Sequence, residues 1–272
     1  MIDWIKAVDE LDLGLFSVIP SQTSDKDRRS LLAVQRAIGR KRGEYAYLEI
    51  GSYLGGSIQP HLCDDRCKII YSIDPRSSQQ PDDRAVGCVV YYENNSTERM
   101  LRMLDLIGCG TISKVHCFES EASGIEPGKI AESPLIAFID GEHTRSAAIA
   151  DFQFCLNVLS KNGIILFHDF SIVYPAILDV IRQLKKSRQR FSYLKLGGDI
   201  FGIFFDQDIL RSDPHLHSLY RKNYYLLPVF LLHAWLKKSL PDWLVAMIQN
   251  FLRRRCSAGI GNQDKSCERS GR

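Results

Sequence analysis

Apolar positions along this chain switch between two spacings. Leu31, Val34 and Ile38 recur at the helical interval, with Gln35 as a polar intruder, before Gly43 and the apolar run 47–50. That order predicts a helix and then a strand. Residues 68–73 read as a second strand ending in Asp74; Met100, Leu101, Leu104 and Ile107 make a helical stripe; 115–118 is a third strand. Runs 135–139 and 164–167 have the length of buried strands. Between them Ala148, Phe152, Cys155, Leu156 and Leu159 line one helical face, which Asn162-Gly163 ends. Five βα units result.

Short, continuously apolar strands separated by helices predict a parallel sheet covered on both faces, because a half-exposed antiparallel sheet would alternate apolar and polar positions. After a helix near 173–186 come two further strands, 191–196 and 200–205, joined by Gly197-Gly198-Asp199. Parallel neighbours need a long crossover, so these two form an antiparallel hairpin at one edge of the sheet. The fold class is therefore α/β: a doubly wound, Rossmann-like, mostly parallel seven-stranded sheet with a helical C-terminal extension. Domain expectations are 1–206 for this unit, with a helical N-terminal segment 1–43, then a helical, partly amphipathic extension 207–256 and a disordered tail 257–272. The segment 75–94 is longer than an ordinary βα connection and reads either as a lid or as a surface insertion.

The 272 residues carry a formal charge of only +3, but the charge is unevenly placed. From Arg221 onward there are ten Lys or Arg against three Asp or Glu, so the preceding part is net −4. A mildly acidic body argues against a nucleic-acid surface, which needs clustered cations. Eight cysteines are spread through a chain that opens MIDWIKAVDE without a basic and apolar leader, and the expectation is a reducing, cytoplasmic setting. Cys63 and Cys67 have no second pair at zinc-like spacing and read as structural thiols.

The most informative stretch is YLEIGSYLGGS, 47–57, which passes from strand to helix through Gly51, Gly55 and Gly56. Such a turn lets backbone amides approach a ligand, and its E-x-G-x-x-x-G spacing differs from the dinucleotide fingerprint. One strand later Asp74 stands where a carboxylate can accept both hydroxyls of a ribose. Together they describe a nucleoside site.

EIGSYLGGS followed by YSID resembles the S-adenosylmethionine (SAM) site of class I methyltransferases, and the Tyr at the fourth place resembles the catechol O-methyltransferase branch. The resemblance implies that Glu49, Gly51, Tyr53, Gly55 and Ser57 belong to the cofactor site, the last four holding the methionine part. It further implies that Asp74 holds the ribose and that Glu119, Ser120 and Glu121 line the adenine edge.

A second constellation is FIDGEH, 138–143, with FHDF, 167–170; each follows a buried strand, so Asp140 and His168-Asp169 meet at one end of the sheet. Two carboxylates and an imidazole suit Mg2+ or another divalent cation, which would lower the pKa of an acceptor hydroxyl. The expected metal ligands are Asp140, His168 and Asp169; the expected catalytic groups are His143, Asp140 and Asp169. FIDGEH and FHDF resemble the I-D-G-D-H and H-D pattern of methyltransferases related to macrocin O-methyltransferase and the cephalosporin-hydroxylase group, in which the matching acidic positions bind magnesium. Glu142 stands here for the commoner Asp. Without a metal, His143 alone can serve as general base.

The expected function is methyl transfer from SAM to a hydroxyl of a small molecule such as a sugar, glycoside or phenol. A metal-dependent hydroxylase or hydrolase on the same fold, or a non-catalytic, membrane-recruited nucleoside-binding partner protein, are the alternatives. In the tail, 224–236 lacks Lys, Arg, Asp and Glu, and Leu244, Met247, Ile248 and Phe251 form a helical stripe before Arg253, Arg254 and Arg255. That region, 224–255, reads either as a peripheral membrane helix or as helices packed on the domain or on a homodimer partner.

Overall fold

A computed structural model describes residues 3–223, 227–240 and 244. Two helices precede the sheet: α1 (Trp4–Glu10) and α2 (Asp25–Arg42). A capping box starts α2, in which the Asp27 backbone amide donates to Ser24 Oγ and the Ser24 amide donates to Asp27 Oδ2. The βα succession follows as β1 (Tyr45–Ile50), a five-residue α3 (Gln59–Cys63), β2 (Cys67–Ile73), β3 (Gln79–Asp82), β4 (Cys88–Tyr91) and α4 (Thr97–Asp105). Then come β5 (Val115–Phe118), β6 (Ile136–Ile139), α5 (Arg145–Val158), β7 (Ile164–Phe167) and α6 (Phe170–Lys186). The chain continues with β8 (Ser192–Lys195), β9 (Phe201–Phe204), α7 (Ile209–Ser212), α8 (Pro214–Asn223) and α9 (Leu227–Ser239).

Seven strands form one sheet in the order β5-β2-β1-β6-β7-β9-β8. The first five are parallel, and β9 and β8 run antiparallel to their neighbours. This is the doubly wound sheet with an edge hairpin that the apolar runs predict. Both faces are covered: Tyr47, Phe138 and Leu166 point into one core with α2, while Leu48, Ile139 and Phe167 point into the other with α5 and α6. Burial on both sides is why polarity does not alternate along β1, β6 and β7.

The reversal of sheet order between β1 and β6 opens a crevice at the carboxyl ends of these strands, the place where doubly wound sheets bind ligands. The segment 75–94 contains an antiparallel hairpin, β3–β4, and its Ser77, Gln79 and Gln80 line a cavity there. Helix α9 packs along α6, burying Ala234 and leaving Val229, Leu232 and Trp235 exposed. Among the described residues no helix is long and apolar enough to cross a membrane. The expected stripe through Met247, Ile248 and Phe251, the arginine run and the tail 257–272 lie outside the described residues.

Candidate functional site

The β1–α3 turn carries the first part of the site. Its amide at Gly51 donates to the Ile73 carbonyl at 2.8 Å, and the Asp140 amide donates to the Ile50 carbonyl at 2.8 Å, so the ends of β2, β1 and β6 are tied together. Gly51 has φ +87°, and a Cβ there would stand 2.1 Å from the Asp140 carbonyl oxygen. Only glycine fits. Tyr53 also adopts a left-handed conformation, φ 40°, which turns its amide onto Asp74 Oδ2 at 2.9 Å.

Asp74 sits at the end of β2 as expected, but its carboxylate is already engaged. Its Oδ1 accepts from the Arg76 amide at 2.8 Å and from Asn95 at 3.3 Å, and the residue is 2% exposed. It braces the turn from beneath. Glu49 is likewise enclosed, with Ser57 Oγ and Tyr47 Oη each donating to it at 2.6 Å. Burial outweighs these hydrogen bonds and pushes its carboxyl up to about 8. Glu49 therefore acts on the site through Ser57.

Two cavities flank Gly51. One, of about 300 Å3, is lined by Ser21, Gly51, Tyr53, Ser57, Tyr92 and Asp140. The other, of about 330 Å3, is lined by Gly51, Ser77, Gln80, Glu121, Ser123, Gly141 and Asp151. Of the three residues expected at the adenine edge only Glu121 lines this space; Ser120 Oγ turns back to the Glu121 carbonyl, and Ala122 and Ser123 take the remaining places. Gly55 reaches neither cavity, and faces Leu104 and Met100 beneath the turn. Asp151, on α5, was not expected; its carboxyl has no cationic partner among the described residues, and burial lifts it to about 7, with Glu142 and Glu121 adding to the effect. A single Asp within a helix carries no signal by which sequence could single it out.

The second part of the site is a chain of carboxylates and imidazoles at the ends of β6 and β7. His143 Nδ1 lies 2.9 Å from Asp82 Oδ2, and its Nε2 lies 3.0 Å from Asp169 Oδ2 and 3.8 Å from Asp140 Oδ1. His168 Nδ1 lies 2.9 Å from Asp140 Oδ1 and 3.4 Å from Asp169 Oδ2, and its Nε2 faces Asp27 Oδ2 at 3.7 Å. Expected residues Asp140, His143, His168 and Asp169 are thus brought together. Asp82 and Asp27 are additions that come from the hairpin and from the α2 cap, both remote in sequence.

Charge in this cluster differs from the near-neutral base that an isolated histidine would offer. Burial disfavours the His143 imidazolium, but Asp140 and Asp169 outweigh it and push the group up to about 10. His168 moves up for the same reason, with Asp140 and Asp27 as partners. Against the opposing effect of burial, the two imidazoliums hold Asp169 and Asp140 well below the usual carboxylate range. In this pairing the two carboxylates favour the protonated form of His143 and oppose its action as a base.

Asp140, His143 and Asp169 each offer one ligand atom within 4.8 Å of the others. His143 Nε2 is buried and has no aligned hydrogen-bond partner. An orphaned nitrogen facing two carboxylates fits a hard or borderline divalent cation. His168, expected as the third ligand, stands behind Asp140 and lines a separate cavity of about 810 Å3 with Asp169, Phe170, Lys195 and Asp199.

Residues 48–170 match the family model described as a methyltransferase domain. No curated protein matches the sequence. Among solved structures the chain is similar to the O-methyltransferase NovP, at 14% identity over 72% of this chain and 79% of that one, with a TM-score of 0.49. It is similar to the calicheamicin methyltransferase CalS11 at 14% identity over 73% and 91% of the two chains, TM-score 0.49. It is also similar to the O-methyltransferase TomG from Streptomyces achromogenes, solved in complex with SAM, at 12% identity over 75% and 89%, TM-score 0.47.

Proposed function

We propose that this chain, whose residues 48–170 carry a methyltransferase domain, is a class I SAM-dependent O-methyltransferase that acts on a hydroxyl of a small molecule such as a sugar, glycoside or phenol. One observation carries the reading: the Gly51 turn touches the backbone of Asp140, so the cavities beside Gly51 and the carboxylate–imidazole cluster share a wall. The methionine part belongs in the cavity of Tyr53 and Ser57, and the adenosine part in that of Ser77, Glu121 and Asp151. Gly55 shapes the turn, and Asp74 and Glu49 hold it from below.

The cofactor would supply an electrophilic methyl group on a sulfonium, and a divalent cation, which Asp140, His143 and Asp169 would hold, would supply Lewis acidity to the acceptor oxygen. The protein orients that oxygen. Asp140 and Asp169 fix the hydroxyl at the wall between the donor cavity and the larger cavity. A cation there would draw on the charge of Asp140 and Asp169 and so loosen their hold on both imidazoles; His168, which lines the larger cavity with Asp27 behind it, is the base this reading assigns. Charge of opposite sign is cancelled in the transfer, so a site closed to water favours it.

The exposed face of α9, Val229, Leu232 and Trp235, supports peripheral membrane contact through 224–255 or contact with a second copy, in a cytoplasmic setting. The experiment that tests the function is a panel of hydroxylated acceptors incubated with SAM bearing a labelled methyl group, read by product mass. Calorimetry with SAM and with NAD accompanies it; preference for NAD, or label appearing in no O-methylated product, ends the reading.

A further inference from the structure

We propose that Asp82 is the positioning residue of His143: it holds a proton on Nδ1 and thereby presents Nε2 to the space between Asp140 and Asp169. The inference deepens the proposed function and rests on the reading of that space as the acceptor-activating site.

The hairpin grips His143 twice. Through the backbone, Asp82 forms a parallel bridge with His143, and the Asp83 amide donates to the His143 carbonyl at 3.1 Å. Through the side chain, Asp82 Oδ2 meets Nδ1 at 2.9 Å while Oδ1 accepts from the Arg84 amide at 2.7 Å. Asp83 in turn accepts from the Arg145 amide at 3.0 Å, closing the loop behind the ring. The Asp82 carboxylate is fully enclosed, and an enclosed carboxylate persists only where its acceptor capacity is used. With ring plane and Nδ1 both fixed, Nε2 has one direction left, toward Asp169 and Asp140, where it finds no aligned protein partner. A carboxylate behind an imidazole whose other nitrogen faces a ligand is the arrangement that orients metal-bound and catalytic histidines. The same short strand lines the cofactor cavity through Gln79 and Gln80, so one element touches both halves of the site.

Asp82→Asn separates positioning from support. Asn keeps the shape and the Arg84 amide contact at Oδ1, but its amide nitrogen takes the Oδ2 place, gives up the Arg84 Nη2 contact there and donates to Nδ1, so that Nδ1 must be unprotonated and the ring proton stays on Nε2 alone. Three readouts are taken on the full chain: the low-field proton coupled to His143 Nδ1 in 15N-edited NMR, assigned by its loss in His143→Gln; Mn2+ affinity by calorimetry; and S-adenosylhomocysteine affinity. In the parent the Nδ1 proton is expected. In Asp82→Asn it is expected to vanish and Mn2+ binding to weaken about 10- to 100-fold, with S-adenosylhomocysteine affinity within about threefold. Absence of the Nδ1 proton in the parent, which needs no variant to fold, overturns the proposal, and so does an Asn variant that keeps both the proton and the Mn2+ affinity. A parent that binds no Mn2+ yet shows the proton, lost in the variant, ends the metal reading and leaves Asp82 as the positioning residue of a base.

Discussion

Gly51 and Asp140 meet backbone to backbone: there is no room between them for a single methyl group. The turn that lines both flanking cavities and the strand end that carries the first carboxylate therefore cannot move independently. Replacing Gly51 by Ala imposes both a clash and a left-handed backbone on a residue that resists it, costs of about 1–3 and about 1–2 kcal/mol. Denaturant unfolding is expected to show a loss of roughly 2 kcal/mol or more, and calorimetry a loss of S-adenosylhomocysteine binding. An Ala variant with parental stability would mean that the turn relaxes freely.

Asp169 lines the larger cavity and faces both imidazoles, yet it lines neither cavity beside Gly51. Asp169→Asn should leave S-adenosylhomocysteine affinity within a few-fold while labelled-methyl turnover falls by about 100-fold or more, because the interaction lost belongs to the transition state. Equal losses of binding and turnover would place Asp169 in cofactor binding instead.

The cluster also sets a pH dependence of stability in the metal-free protein. His143 is raised from 6.5 to about 10 in the fold, so its contribution is fully present below about 6.5 and is lost as pH rises through about 10. Asp169 is lowered, so its contribution is present above its ordinary value and is lost as pH falls through the depressed one. After chelation, thermal unfolding should weaken between pH 6.5 and 10, and His143→Gln should flatten that decline. A parallel decline in both proteins would assign the loss to other groups.

Glu49 behaves in the opposite sense. Its carboxyl, raised to about 8, stays protonated in the fold at neutral pH while the unfolded chain ionises, so stability falls as pH rises above the ordinary Glu range. Glu49→Gln keeps hydrogen bonds to Ser57 and Tyr47 without that penalty. At pH 7 the variant should be more stable by about 1–3 kcal/mol, measured by urea unfolding, with the gain shrinking at pH 5. A destabilised variant would show that the ionised form is the one the fold uses.

Val229, Leu232 and Trp235 recur at three-residue intervals on the outer face of α9, and Lys237 and Lys238 follow in sequence. If this face meets anionic lipid, co-sedimentation with phosphatidylserine vesicles should fall with salt and be abolished by Trp235→Glu. Sedimentation equilibrium on the same variant distinguishes the other covering, a second copy, whose loss would convert a dimer to monomer without any vesicle binding in the parent.

What sequence made legible follows from where the information lies. Strands β6 and β7 are uninterrupted apolar runs because each is buried on both faces, β1 and β2 are broken only by Glu49 and by Lys68 and Ser72, and runs of that kind survive inspection without any partner being known. The same holds for Asp140 and Asp169, which end such runs and so had to converge. β3 was illegible for the opposite reason: Gln79-Gln80-Pro81-Asp82 carries no apolar residue beyond its proline and pairs with β4 and, through the single bridge at Asp82, with His143, so nothing local marks it as a strand. Asp82 and Asp27 were invisible because their partners are far along the chain, and contact across such a distance is a property of the fold. Asp74 shows a subtler limit. Its position at the end of β2 was predictable, but not that Tyr53 would adopt a left-handed backbone and claim its carboxylate.

The 810 Å3 cavity and the cavity of Tyr53 and Ser57 have a single lining residue in common, Gln22, which is exposed. A molecule entering by one mouth thus need not pass a molecule resting in the other. On the proposed function, with the donor in the smaller cavity and the acceptor in the larger, two doors would allow the reactants to bind, and the products to leave, in either order.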